Sequence, residues 1–251
     1  VSVSILDSFS LTNKTAIVTG GSRGLGATIA EAYAEAGANV VICSRDVSAC
    51  EAMGKQLEDS YGIKTLAFAC DVTNEEQVND VVTKTKEAFG TIDILVNNSG
   101  ASWAAPVQDM PLEAWNKVID VNVTGTFLMS QAVGKVMIEQ EEGKIINIAS
   151  TAGLVGTPSF MQTIGYNTSK GAIITFTKDL AVKWGEHNIN VNALAPGFIP
   201  TKMSEVLIEY NKESILNNTP LKRLGENKDL QGAAIFLASN ASDYITGDVL
   251  T

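Results

Sequence analysis

A chain of 251 residues, 45% hydrophobic and 18% charged, can build a sizeable core. Its charge content is below the roughly 25% of an average globular protein, which excludes a disordered chain. Eighteen basic residues against 28 acidic ones give a net charge of −10, which excludes nucleic acid and anionic membrane as partners, since both need a basic footprint. No apolar run approaches the ~18 residues of a membrane span. The stretch Val1–Leu11 has neither a basic n-region nor a small-residue cleavage site, so a cytoplasmic protein is expected.

In chain order, short apolar runs rich in β-branched residues alternate with longer segments of helical period. Strands are predicted at Thr15–Thr19, Asn39–Cys43, Thr65–Cys70, Ile92–Asn97, Lys144–Ala149 and Ile189–Leu194. Each is nearly continuous in apolar residues, as strands covered on both faces are. Helices are predicted between them at Leu25–Ala36, Val47–Tyr61, Glu75–Phe89, Leu112–Gln140, Gly165–Gly185 and Lys228–Ala238. Gly37 and Gly90 stand where helices end in a left-handed residue. Asn74, followed by Glu75 and Glu76, has the form of a capped, acid-first start. Pro200–Pro220 lacks a strand signal and is expected to be a small, partly helical flap. The alternation implies an α/β fold with a doubly wound, Rossmann-type parallel sheet of about seven strands in a single domain, residues 1–251. Cys43, Cys50 and Cys70 are odd in number with no C-x-x-C spacing, and His187 is the only histidine, in what reads as a turn before a strand. No disulfide framework and no metal site is expected.

The first chemical signal follows the first strand. Thr19-Gly20-Gly21-Ser22-Arg23-Gly24-Leu25-Gly26 leads directly into a helix. Strand, glycine turn and helix N-terminus make an anion site, with outward amides and a favourable dipole for a pyrophosphate. The next strand ends in Ser44-Arg45, with Arg45 nineteen positions past Gly26. An acid near this point grips a ribose 2′-hydroxyl, whereas an arginine accommodates a 2′-phosphate. The chain has only three arginines, and two of them, Arg23 and Arg45, fall here. Guanidinium suits bidentate phosphate recognition, so NADP(H) is favoured over NAD(H). Asp46 is the rival, an NAD-type acid displaced by a place or two.

Further stretches make the chain resemble the short-chain dehydrogenase/reductase family over almost its whole length. Thr19–Gly26 matches the family's T-G-x-x-x-G-x-G loop, and Asp71-Val72 its adenine-contacting pair. Asn97-Asn98-Ser99-Gly100 is similar to N-N-A-G, with Ser99 for the usual alanine, and Pro196-Gly197…Thr201 resembles P-G-x-x-x-T. Asn122, Ser150, Tyr166 and Lys170 stand in the order of the family's catalytic residues. The resemblance implies cofactor contacts from Gly20, Ser22, Arg23, Gly24, Leu25, Gly26, Ser44, Arg45, Asp71, Val72, Asn98, Tyr166, Lys170, Pro196, Gly197, Ile199 and Thr201. It also implies that Lys170 binds the nicotinamide ribose, that Asn122 positions a water relaying protons to Lys170, and that the protein is a homotetramer joined through its two long helices.

The chemistry of these residues can be argued without the family. Tyr166 and Lys170 are four apart, on one face of a helix. An adjacent ammonium is expected to stabilise phenolate and lower a tyrosine's ordinary pKa of ~10. Such a phenol can pass a proton to a carbonyl oxygen as hydride arrives, while Ser150 polarises that oxygen. A Tyr-x-x-x-Lys pair alone arises by chance too easily to carry this reading; its combination with the glycine loop, Asn97–Gly100 and Pro196–Thr201 does.

The substrate is less legible. Ser150 and Tyr166 are sixteen apart, longer than the commonest family spacing, with the extra residues inside Pro158–Ile164. Tyr166–Gly171 and Asn192–Phe198 resemble the gluconate 5-dehydrogenase-like branch, acting on sugar acids and polyols. Against a carboxylate substrate, Lys202 is the nearest basic candidate, whereas Trp103, Phe160, Met161, Phe198 and Met203 point to an apolar-leaning pocket. The expectation is an NADP(H)-dependent carbonyl reductase turning a small-molecule ketone into a secondary alcohol. Sugar-acid or polyol dehydrogenase, 3-oxoacyl-thioester reductase and a catalytically silent dinucleotide-binding regulator are the alternatives. The run Ile245–Thr251 stops before the Val-Asp-Gly-Gly of the family, so either the chain is trimmed or its last strand is short. A first residue Val1 without methionine fits trimming at that end too.

Overall fold

Thr15–Thr19 (β1), Asn39–Ser44 (β2), Thr65–Ala69 (β3), Ile94–Asn97 (β4), Gly143–Ile148 (β5), Ile189–Leu194 (β6) and Val249–Leu250 (β7) pair in the order β3-β2-β1-β4-β5-β6-β7. Every pairing in this sheet is parallel. The computed structural model describes residues 4–202 and 204–251. Val1 and Met203, both singled out above, lie outside the described residues. The helices are Gly24–Glu35 (α1), Val47–Tyr61 (α2), Glu75–Phe89 (α3), Leu112–Ile119 (α4), Gly125–Gln140 (α5), Ile164–Trp184 (α6), Glu205–Asn218 (α7) and Asn227–Ala238 (α8). Among the described residues, no helix is long and apolar enough to cross a membrane.

Alternation along the strands sorts the core into two layers. Val18, Val40, Ile42 and Ile94 pack with Ile29, Tyr33, Leu230 and Ala234 of α1 and α8. Ile17, Val41, Leu95 and Ile145 pack with Val78, Met129, Val133 and Met137 of α3 and α5. Helices end where the glycines lie: Gly62 and Gly90 close α2 and α3 in left-handed conformation at φ 70° and 79°. Asn74 caps α3 by accepting the Gln77 amide at 3.0 Å.

Two expectations need correction. β3 is half-buried rather than covered on both faces, because it forms an edge of the sheet. The single helix expected over Leu112–Gln140 is interrupted by a π-turn at Asp120–Thr124, where the Gly125 amide donates to the Asp120 carbonyl. Backbone dihedrals at both of its ends are helical, so the chain passes from α4 into α5 without a break. The flap is partly helical as expected, consisting mainly of α7, kinked at Asn211 where φ is −129°. The last strand is two residues long.

Because all strands run the same way, their C-terminal ends share one edge, and the order reverses between β1 and β4. A crevice forms above such a reversal, and the glycine loop, Asn97–Gly100 and Ser150 all emerge there. His187 lies in a turn before β6, at the opposite edge.

Candidate active site

The glycine loop is shaped by what its backbone must do. Gly20 and Gly24 adopt φ of 64° and 56°, a region that favours glycine. A Cβ on Gly26 would collide with the Gly20 carbonyl and the Asn98 side chain, so α1 begins almost in contact with the loop. Arg23, extended at the N-cap, makes no side-chain capping bond, leaving the amides of the first turn directed at the crevice. Asn98 holds the loop from the next strand: its Nδ2 donates to the carbonyls of Thr19 at 2.9 Å and Gly20 at 3.3 Å. Thr19 Oγ1 accepts the amides of Asn98 and Ser99, each at 3.0 Å.

A cleft of about 620 Å³ opens over this loop. It takes in Gly20, Ser22, Arg23, Gly24 and Leu25, then Ser44 and Arg45, then Asp71, Val72 and Asn98, and finally Tyr166, Lys170 and Thr201. Gly26 supports the cleft from beneath. At its far end Arg45 is exposed, while Asp46, the rival for the ribose, accepts the Ala49 amide at 3.1 Å as the N-cap of α2. Asp71 accepts the Thr73 amide and hydroxyl at 3.0 and 2.7 Å. Those two bonds hold its carboxyl below the usual range.

At the other end stand Tyr166 and Lys170, with Ser150 two residues past the end of β5. Tyr166 is half-buried in the first turn of α6; Lys170, one turn on, is buried with Nζ 5.5 Å from the centre of the Tyr166 ring. Nζ donates to the Ile148 carbonyl at 2.6 Å. Burial pushes Lys170 down to about 8. Burial also pushes the Tyr166 phenol up, against the pull of a hydrogen bond with Ser150. This corrects the expectation of a lowered phenol: the lysine ammonium is spent on a carbonyl and faces the ring, so desolvation dominates. Ser150 begins a short turn and accepts the Ala152 amide at 3.2 Å. A Cβ on Gly153 would press into the Lys170 backbone, so this turn lies directly on α6 and fixes Ser150 relative to the Tyr–Lys pair. Sequence reasoning missed Gly153, because nothing local marks a contact seventeen residues away.

Asn122 sits buried in the π-turn. Its Oδ1 accepts the Ala101 amide at 2.7 Å, and its Nδ2 donates to the Ala101 carbonyl at 3.0 Å and Ser169 Oγ at 2.8 Å. The side chain thereby clasps the turn after β4 to α6. π-turns recur at functional sites because the extra residue re-aims a side chain. Behind it a second network went unread in the sequence: Asn97 Nδ2 donates to Ser130 and Asn147, each at 2.9 Å, and Asn147 Nδ2 donates to Thr177 at 2.9 Å.

Pro196, Gly197 and Ile199 are not walls of this cleft. They line a second cavity of about 540 Å³, together with Phe160, Met161 and Phe198, Ile215 of α7 and Leu250 of β7. Three of the five predicted pocket residues therefore meet; Trp103 does not line this cavity, and Met203 is outside the described residues. The Thr151 amide, next to Ser150, donates to the Pro196 carbonyl at 3.2 Å, so the two cavities are neighbours across one segment. Much of the cavity's polar wall is internally engaged: Asn218 Nδ2 donates to the Ser214 carbonyl, Thr219 Oγ1 to the Ile215 carbonyl, and Arg223 pairs with Asp229. Lys202, weighed for a substrate carboxylate, lines the first cleft instead.

Comparison with known proteins agrees with this geometry. Residues 20–251 match a family model described as enoyl-(acyl carrier protein) reductase. A 3-oxoacyl-[acyl-carrier-protein] reductase of Chlamydia muridarum is 42% identical over 96% of each chain. A short-chain type dehydrogenase/reductase of Mycobacterium marinum superposes with a TM-score of 0.93 at 39% identity, covering 98% of this chain and 96% of that one. A gluconate 5-dehydrogenase of Burkholderia cenocepacia, solved with NADP and tartrate, gives 0.94 at 35% identity, covering 98% and 96%.

Proposed function

The chain belongs to the short-chain dehydrogenase/reductase family of oxidoreductases, and we propose that it is an NADP(H)-dependent carbonyl reductase interconverting a ketone and a secondary alcohol. The observation that carries this reading is the meeting, in one cleft with the glycine loop, of a half-buried Tyr166 phenol and the buried Lys170 beside its ring, with Ser150 two residues past the Ile148 that lines the same cleft. Bound NADPH would supply the hydride. Ser150 and Tyr166 would hold the carbonyl oxygen between two hydroxyls, and Tyr166 would give its proton to that oxygen as it becomes an alkoxide. A phenol held up by burial is protonated at neutral pH and so is poised as a donor for reduction. Lys170 supplies positive charge next to the phenolate that forms, and Asn122 is a positioning residue through Ala101 and Ser169.

The loop fits the cofactor. Open amides at the start of α1 suit a pyrophosphate, and the glycine backbone allows its close approach. Arg45 with Arg23 suits a 2′-phosphate, and the capping role of Asp46 leaves it poorly placed to grip a ribose hydroxyl. For the substrate, the largely apolar second cavity favours a ketone carrying an apolar group over a polyhydroxylated acid. The same cavity supports a second reading, reduction of a 3-oxoacyl thioester, which fits the 42% identity to the chlamydial enzyme. We take residues 1–251 as one catalytic domain of a cytoplasmic homotetramer. Phe127 on α5 and Val182 on α6, 44% and 83% exposed, are apolar surface that subunit contact would cover.

The test is loss of NADPH and, separately, NADH absorbance with an aromatic ketone, a β-keto ester, an acetoacetyl thioester, a keto-sugar and 5-keto-gluconate. NADPH-preferring turnover of the first three is the expected result. Turnover of 5-keto-gluconate alone would move the chain to the sugar-acid branch, and binding of NADPH with silence across the panel would favour a regulator.

A further inference from the structure

One cation of the cofactor cleft has no part in the chemistry above. Four cationic side chains line that cleft, Arg23, Arg45, Lys170 and Lys202, against two acids, Asp46 and Asp71. In the whole chain acids outnumber bases, 28 to 18, so positive charge is concentrated here against the general field of the molecule. Both acids are engaged by α2 and Thr73. Arg45 stands just past β2, Arg23 belongs to the glycine loop on the α1 side, and Lys170 is committed to Ile148 beside Tyr166. Lys202 remains: it is exposed and forms no ion pair among the described residues.

Its position is set from both sides. The neighbouring Thr201 methyl is the nearest atom, at 3.8 Å, to where a Cβ on Gly24 would stand, so the segment faces the first residue of α1 across the cleft. Ser204 Oγ accepts the Thr201 amide at 2.9 Å and donates to the Ile199 carbonyl at 2.8 Å. The Ser204 and Glu205 amides both donate to the Thr201 carbonyl, at 3.0 and 2.9 Å. The chain that carries Lys202 is therefore pinned at the head of α7.

We propose that Lys202 is a ligand of the dinucleotide's pyrophosphate, approaching from the side opposite the amides of α1. The inference rests on the dinucleotide reading and adds a contact that neither the glycine loop nor the arginines supply. Amides of one helix turn can satisfy only the oxygens that face them. The oxygens turned toward α7 need a counter-charge, the more so on a strongly acidic chain. An ammonium is a compact charge on a flexible stem and needs no bidentate geometry to serve there. A carboxylate of the substrate is the competing ligand; against it stands the absence of Lys202 from the apolar cavity's wall.

Calorimetry on the full chain with two fragments separates the possibilities. ADP-ribose carries the pyrophosphate without a 2′-phosphate; adenosine 2′-monophosphate carries the reverse. Lys202→Ala is expected to weaken ADP-ribose, NADH and NADPH by a common factor of about ten, to leave adenosine 2′-monophosphate unchanged, and to lose its effect in high salt. Lys202→Arg should recover most of the loss, which a merely structural role would not predict. Unchanged ADP-ribose affinity in Lys202→Ala overturns the proposal. So does a rise in KM confined to carboxylate-bearing ketones. Binding of ADP-ribose but not adenosine 2′-monophosphate by the unaltered chain would sink the NADP preference while leaving the pyrophosphate contact standing.

Discussion

The two cavities on either side of Pro196–Lys202 are built in opposite ways. The cofactor cleft rises from strand ends and the first turns of α1 and α6, and its backbone is held by Asn98, Asn122 and Thr19. The apolar cavity is walled by a loop at Phe160 and Met161, by Phe198, and by α7, whose helix is broken at Asn211. Groups that must meet a reacting atom sit at a strand end and on a helix packed against the sheet, where position is fixed, whereas much of the surface that would choose among ketones sits on segments that tolerate change. Reaction class and substrate choice are, on this architecture, separable properties of the chain.

The strongest attempt to break that separation is Tyr166→Phe. It should lower turnover of every ketone by about 10²–10⁴, while calorimetry shows NADPH affinity within about twofold. A loss confined to some ketones would mean that the two cavities share the chemistry. Next in size, Arg45→Asp should shift the NADPH/NADH ratio of kcat/KM by about a hundredfold toward NADH, the scale of one or two charge-assisted bonds, with the ranking of ketones unchanged. An unaltered ratio would remove the 2′-phosphate from the far end of the cleft.

The pH profile should also belong to the cleft alone. Lys170 is held near 8, below its ordinary value, by burial. Its ammonium is present below that pH and is lost as pH rises through it. Reduction should therefore fall above pH ~8, by about tenfold per unit once past the limb, and with the same midpoint for every ketone. A midpoint that moved with the ketone would place the titrating group in the second cavity. The smallest effect is expected there: Phe198→Ala should change the preference between an aromatic and a small ketone by about fivefold, leaving NADPH affinity untouched.

The same division decides what could be read from the sequence. Glycine loop, Ser44-Arg45, Asp71-Val72 and the Tyr166–Lys170 pair are each local, so spacing along the chain carries them. The positions of β1 to β6 were legible for the same reason, within a residue or two, since each is a nearly continuous apolar run, even β3, which is only half-buried. What failed was non-local or hidden by continuity. Gly153 matters only because it touches α6, and the apolar cavity adds Ile215 and Leu250, from two further segments, to the expected Phe160, Met161 and Phe198. The π-turn was missed because no glycine or proline breaks the helical stretch at Asp120–Thr124 and its ends keep helical dihedrals. The phenol was expected to be lowered because the sequence gives a lysine's spacing but not the carbonyl that would claim it.

The π-turn also sets a phase. Each helical residue advances the chain by about 100°, so Asp120–Thr124 determines the angle at which α4 leaves α5. Deleting one residue there would restore an unbroken α-helix and swing α4 about a quarter turn. Ala114 and Val118, now buried, would rotate toward solvent while α5 stayed docked on the sheet. Asn122 would lose its aim at Ala101 in the same movement. The length of this stretch, counted in single residues, is thus as binding a constraint on the chain as the identity of any side chain in it.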